Sequence, residues 1–199
     1  MNGVLYIHGK NGSAVESEYY KQFFPGCTVF GLDYQTFTPW ETGKEIHKAA
    51  CELAKKHGRM TLIANSIGAF FSMYADIEPM VERAYFISPI VDMEKLICGM
   101  MTWAHVTEQE LQEHQTIHTS FGEDLSWEYL CWVRNHPIHW EVPTEILYGG
   151  KDTLTSRETV SDFARRYSAR LTVMENGEHW FHTQEQMAFL NQWMRHSLV

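Results

Sequence analysis

Residues 60–74 read Met60-Thr61-Leu62-Ile63-Ala64-Asn65-Ser66-Ile67-Gly68-Ala69-Phe70-Phe71-Ser72-Met73-Tyr74, and their character changes in the middle. The first six are a short apolar run of the kind that fills a buried strand, while the stretch from Ala69 continues as a helix. Ser66 therefore occupies a strand-to-helix turn. A turn that sharp crowds its flanking residues, and Ala64 and Gly68 are small enough to be crowded. It lifts the serine hydroxyl above the sheet while the next amide, that of Ile67, points at the same spot. A serine between small residues also occurs in ordinary helix-capping turns, so its meaning depends on the rest of the chain.

Outward from this turn, short β-branched runs alternate with amphipathic stretches, the rhythm of helices packed on a mostly parallel sheet. Six strands are predicted: Gly3–His8, Cys27–Asp33, Met60–Asn65, Ala84–Ser88, Glu145–Gly149 and Arg170–Glu175. Capping boxes at Ser13/Glu16, Thr42/Glu45, Thr155/Glu158 and Thr183/Gln186 mark helix starts, because each pair satisfies the other's orphan amides. Apolar stripes follow them, such as Val15, Tyr19, Phe23 and Ile46, Ala50, Leu53. Pro25-Gly26, Gly58 and Pro79 supply stops.

About fifty residues separate the fourth strand from the fifth, where one crossover helix would suffice. A capping box at Thr107/Glu110 and a stripe of Leu125, Tyr129, Trp132 and Val133 ended by Pro137 predict a small helical cap over about 91–140. The fold class is thus α/β: three layers, α/β/α, around a mostly parallel sheet of about six strands, as a single domain over 1–199 with that insertion.

A parallel sheet binds ligands outside the carboxyl ends of its strands. The fifth strand ends Leu147-Tyr148-Gly149-Gly150-Lys151-Asp152, and the sixth runs Val173-Met174-Glu175-Asn176-Gly177-Glu178-His179. A serine hydroxyl is a poor nucleophile until an imidazole takes its proton, and a carboxylate must hold that imidazole in the right tautomer. Ser66, Asp152 and His179 supply the three groups at three strand ends. Each also has a plainer reading: Gly-Gly-Lys-Asp is good turn sequence in any fold, and His179 suits a helix approach. Glu178, Asp124 and His182 are competing occupants of the acid and base roles.

The order Ser, acid, His, together with HGKNGS (8–13), ANSIGA (64–69), YGGKD (148–152) and NGEH (176–179), resembles the α/β-hydrolases. The departure from the commoner G-x-S-x-G is Ala at its first position. The resemblance implies a compact serine hydrolase that lacks the first two strands of the family's eight-stranded sheet. It implies a carboxylic ester of a small to medium apolar or aromatic substrate, cleaved through an acyl-enzyme. Acyl transfer, amide cleavage and a silent ligand-binding member remain as alternatives. The His-Gly turn after the first strand resembles the one used for the oxyanion hole, which assigns the Lys10 and Ile67 N–H groups as donors. A glycine-rich turn also suits phosphate, but GKNGS matches neither nucleotide-binding spacing.

Sixteen basic against 25 acidic residues give a net charge of -9, and no Lys/Arg run occurs, which argues against a nucleic-acid partner. Apolar runs fall far short of the ~20 residues of a membrane helix, and MNGVLYIHGKNG lacks the pattern of a signal peptide. A cytoplasmic chain with no membrane span is expected. Cys27, Cys51, Cys98 and Cys131 are widely spaced and read as free thiols. His179-x-x-His182 and His136-x-x-His139 lack the further ligands a zinc site needs, so neither a metal nor a cofactor is expected. Four of the seven tryptophans fall between 91 and 140. Of the aromatics Trp103, Phe121, Trp127, Trp132 and Trp140, the first, third and fourth are the candidate substrate-pocket walls, against the plainer reading of a cap core.

Overall fold

A computed structural model describes residues 2–198. Along the chain its strands are β1 (Gly3–Ile7), β2 (Thr28–Leu32), β3 (Met60–Asn65), β4 (Val81–Ile87), β5 (Thr116–His118), β6 (Asp124–Ser126), β7 (Thr144–Gly149) and β8 (Arg170–Met174). Its α-helices are α1 (Ser17–Tyr20), α2 (Pro39–His57), α3 (Ile67–Ser72), α4 (Met93–Ala104), α5 (Glu108–His114), α6 (Trp127–Asn135), α7 (Arg157–Arg166) and α8 (Gln184–Ser197). None of them is long and apolar enough to cross a membrane.

Six strands form one sheet in the order β2-β1-β3-β4-β7-β8, and every neighbouring pair is parallel. All five residues of β1 and all six of β7 are buried, as expected for strands covered on both faces. Alternate residues pick out one face: Val4 and Tyr6 of β1, Ile63 of β3 and Tyr85 of β4 share an apolar cluster with Leu190 and Trp193 of α8. Helices α2 and α3 pack on β1 and β3, which completes the α/β/α layering. Because β2 and β3 lie on opposite sides of β1, the chain changes direction there. A crevice opens outside the carboxyl ends of β1 and β3 at such a switch point.

The chain divides into two compact units, Met1–Val91 with His139–Val199, and Asp92–Ile138. The larger holds the sheet. The smaller consists of α4, α5, α6 and the antiparallel β5–β6 pair. Within it, Arg134 on α6 donates to Glu94 on α4 at 2.7 Å and to both carboxylate oxygens of Glu108 on α5 at 2.7 and 2.9 Å. One guanidinium thus ties three helices together, in the forked geometry that makes Arg suited to the task.

Local details depart from expectation in instructive ways. The capping boxes at Ser13, Thr107 and Thr183 are present. Helix α2, however, starts just after Thr38, whose hydroxyl makes no capping bond and donates to Glu41, with Pro39 in its first turn and Thr42 buried inside it. Glu45 instead accepts from the Gln35 and Thr36 amides. Helix α7 is capped by Ser156, whose hydroxyl accepts from Thr159 N–H, rather than by Thr155. The first helical segment is broken into 3-10, α and 3-10 pieces, so the apolar spacing drifts and Val15 is left 73% exposed. Leu125 belongs to β6, not to the stripe of α6. Trp140 belongs to the larger unit, where it is buried against Phe86 and donates to Thr144 Oγ1 at 2.8 Å.

Candidate functional site

Ser66 has φ 50° and ψ -120°, a strained conformation for a residue with a side chain, between the last residue of β3 and the first of α3. Two contacts hold it there. Ser66 N–H donates to the Ile87 carbonyl at 2.9 Å, and the Ser66 carbonyl accepts from Ile90 N–H at 3.1 Å. Small neighbours are a necessity at this elbow, because a Cβ on Gly68 would lie 2.4 Å from the His8 carbonyl oxygen. Gly9 is likewise pressed against Ser66, its own absent Cβ only 3.2 Å from that of the serine.

The Ser66 hydroxyl lies 2.7 Å from Nε2 of His179, and Nδ1 of the same ring lies 2.7 Å from Oδ2 of Asp152. An ionised carboxylate can only accept, so Nδ1 carries the ring proton and Nε2 is left to accept from the serine. The Asp152 side chain is fully buried and that of His179 is one-fifth exposed. Asp152 Oδ1 accepts from Leu154 N–H at 2.8 Å and Thr155 N–H at 3.2 Å, so both oxygens are occupied and the carboxylate is fixed. Tyr148 braces this loop by donating to the Thr155 carbonyl at 2.8 Å. Burial, reinforced by the nearby Asp152 charge, pushes its phenol up to about 12, which keeps it a donor at neutral pH.

The competing residues are engaged elsewhere. Asp124 pairs with His118 at 2.7 Å on the β5–β6 hairpin. His182 donates through Nδ1 to the Trp180 carbonyl at 2.8 Å and stacks on the Trp180 ring, and Glu178 lies 3.4 Å from Gln186 Nε2. Among the described residues no three His, Cys, Asp or Glu groups converge to hold a metal ion.

Around the β1 end, residues 9–12 form a turn closed by Gly12 N–H to the Gly9 carbonyl at 3.1 Å, with Asn11 at φ 61°. Lys10 is in this turn. His8 at its base is buried, stacks on Tyr34 with ring centres 4.2 Å apart, and accepts the Tyr34 hydroxyl on its carbonyl at 3.0 Å. Ile67 opens α3, so its amide has no carbonyl one turn back within the helix.

A cavity of about 810 Å³ in the larger unit is lined by Ser66, His179 and Lys10 together with Tyr19, Trp180 and Leu190, among others. Its apolar wall comes from α1, α8 and the loop after His179. Three further lining residues, Tyr6, Glu16 and Asn65, bring polar groups to the cavity, although by sequence pattern alone they belong to a strand, a capping box and a strand end. Trp103, Trp127 and Trp132 lie in the smaller unit, where Trp103 meets Phe121 edge-on at 6.3 Å and Trp132 stacks on His136 at 4.2 Å.

No family model matches the sequence, and no curated protein matches it. Solved structures do. Est1E from Butyrivibrio proteoclasticus superposes with a TM-score of 0.78 at 14% identity, over 99% of this chain and 86% of that one. It is also known with ferulic acid bound. Mouse alpha/beta hydrolase domain-containing protein 10 gives 0.75 at 15%, over 98% of this chain and 89% of that one. A proline iminopeptidase-related protein from Thermus thermophilus gives 0.64 at 19%, over 100% and 90%. At such identities the likeness is one of architecture, and the chain has the α/β-hydrolase fold.

Proposed function

We propose that the protein is a serine hydrolase that cleaves a carboxylic ester through an acyl-enzyme. The observation that carries this reading is the continuous chain from Ser66 Oγ through both ring nitrogens of His179 to Asp152, at 2.7 Å in each step. In the reaction Ser66 Oγ attacks the ester carbonyl carbon while His179 Nε2 takes its proton. Collapse of the tetrahedral intermediate breaks the bond to the alcohol, which leaves with that proton. Water, deprotonated by the same nitrogen, then attacks the acyl carbon; the bond to Ser66 Oγ breaks, the imidazolium returns the proton to that oxygen, and the acid is released. Asp152 steadies the imidazolium that forms in each half. The Lys10 and Ile67 N–H groups are assigned to the carbonyl oxygen as it gains charge.

The apolar lining of the cavity favours a small to medium acyl group, aliphatic or aromatic, and the net charge of -9 disfavours strongly anionic substrates. Ferulic acid in Est1E, an aromatic acid in a protein of the same fold, is in keeping with that preference. Trp103, Trp127 and Trp132 are proposed as further determinants of acyl preference. The test is a series of chromogenic esters of increasing acyl length, with fluorophosphonate labelling in parallel. Wild-type protein should turn over the esters and take up one label. Folded Ser66→Ala should lose the label and roughly 10⁶ of kcat, the scale reported when a triad serine is removed elsewhere. Undiminished turnover by that variant overturns the reading.

A further inference from the structure

Glu16 has two carboxylate oxygens with different partners. Oε1 accepts from Ser13 N–H at 3.3 Å, which is all that a capping box requires. It also presses on the turn that carries Lys10, since a Cβ on Gly12 would lie 2.8 Å from it. Oε2 does something a capping box does not: it accepts a short hydrogen bond from the hydroxyl of Tyr6, ten residues back on β1. The Tyr6 hydroxyl in turn accepts from Asn65 Nδ2 at 2.8 Å, and Asn65 is the residue immediately before Ser66. Burial, with the Glu16 carboxylate alongside, holds the Tyr6 phenol far above its ordinary range, so it stays a donor to Glu16.

We propose that Glu16, Tyr6 and Asn65 form a positioning chain that sets the loop bearing the Lys10 amide against the elbow bearing the Ile67 amide. This rests on the reading of Ser66 as nucleophile and of those two amides as the oxyanion hole. The two amides sit on separate elements, one after β1 and one after β3, and the strand pairing alone ends at Ile7 and Ala64. Beyond the last paired residues, the side-chain link runs from the loop side (Glu16) through β1 (Tyr6) to the elbow side (Asn65). An ionised acceptor makes its first bond stronger than a neutral one. Asn65 Oδ1 is buried with no partner among the described residues. An asparagine kept in that state is held by what its amide nitrogen donates to. Because the chain touches the loop and the elbow and not the bond being broken, these are positioning residues, and their effect is on the height of the barrier more than on binding.

The experiment compares wild type, Tyr6→Phe, Glu16→Ala, Glu16→Gln, the Tyr6→Phe/Glu16→Ala double variant and Ser66→Ala on esters of two acyl lengths. Displacing an oxyanion donor by a fraction of an ångström should lower kcat roughly tenfold to a hundredfold. KM should stay within about twofold, and the loss should be equal for both acyl lengths, since transition-state and not ground-state contacts are affected. The double variant should be no worse than the poorer single one, because either change breaks the same chain. Glu16→Gln keeps an oxygen for the Tyr6 hydroxyl and should recover most of the loss. It also serves where Glu16→Ala fails to fold. Unchanged kcat in folded Tyr6→Phe, multiplicative losses in the double variant, or a loss confined to one acyl length would overturn the proposal. Turnover retained by Ser66→Ala would instead overturn the reading beneath it.

Discussion

Gly149 at the end of β7 packs its α-carbon against the backbone of Glu178, so closely that a Cβ there would lie 2.4 Å from the Glu178 carbonyl oxygen. The loop after β7 carries Asp152, and the loop after β8 carries His179 one residue past Glu178. This backbone contact, with Lys151 N–H donating to the Gly177 carbonyl at 2.8 Å, is what brings the carboxylate within reach of the imidazole. Gly149→Ala must therefore push the two loops apart. It should destabilise the fold by about 1 to 3 kcal/mol, the usual range for overpacking, and lower kcat as well. Thermal unfolding and ester kinetics check both; a variant with unchanged melting and unchanged kcat would mean the contact is slack.

Asp152→Asn keeps the shape of the buried carboxylate but presents an amide that can donate to His179 Nδ1. The ring would then place its proton on Nε2, facing Ser66, where it cannot accept the serine's proton. A loss near 10⁴ in kcat accompanies this exchange in a well-studied serine protease, and a loss of that order is expected here with little change in melting temperature. His182→Ala, whose ring faces Trp180 instead, should keep kcat within about threefold, since surface changes away from the reacting groups are usually minor.

Far from the site, Glu145 of β7 is buried, with Arg170 at 3.2 Å on one side and Oε2 without a partner among the described residues. Desolvation outweighs the pull of Arg170 and Arg83 and raises its carboxyl above the ordinary 4.5. The folded state then holds this proton more tightly than the unfolded one. Stability is fully present below 4.5 and is lost as pH rises through the raised folded value. Glu145→Gln should thus be more stable than wild type at pH 7, with the gap closing toward pH 4. Denaturant titrations at the two pH values measure it; a gap that widens in acid would show that the arginines win.

How much of this was legible in the sequence depended on how much of each signal was local. The six sheet strands are short β-branched runs, and all were readable to within a few residues. Ser66, Asp152 and His179 stand out in the sequence because a parallel sheet puts such groups at strand ends, and the fold brings their side chains into one hydrogen-bonded chain. Thr38-x-x-Glu41 and Thr42-x-x-Glu45 are equally good capping boxes by pattern, and only Pro39, suited to a first helical turn, separates them. The hairpin of β5 and β6 has three residues per strand, too few for any alternation to register. Tyr6 and Glu16 were invisible for a different reason. Each already had a sufficient local explanation, a core strand position and a capping box, and the bond that joins them exists only after β1 and the following turn fold together.

The tryptophans of the smaller unit provide the last expectation. Trp103 is 52% exposed, and Trp127 and Trp132 are half-buried, so none of the three is a deeply packed core residue whose loss opens a large cavity. If they act as walls for the acyl group, Trp103→Ala, Trp127→Ala and Trp132→Ala should each shift KM and the preferred acyl length by severalfold while kcat on the shortest ester stays near wild type. Melting temperature should fall little for Trp103, and somewhat more for Trp132, whose ring stacks on His136. Trp180→Ala provides the calibration, because that ring lines the cavity with Ser66 and its removal should change acyl preference in any case. A profile altered by Trp180→Ala and untouched by all three others would assign specificity to the larger unit alone.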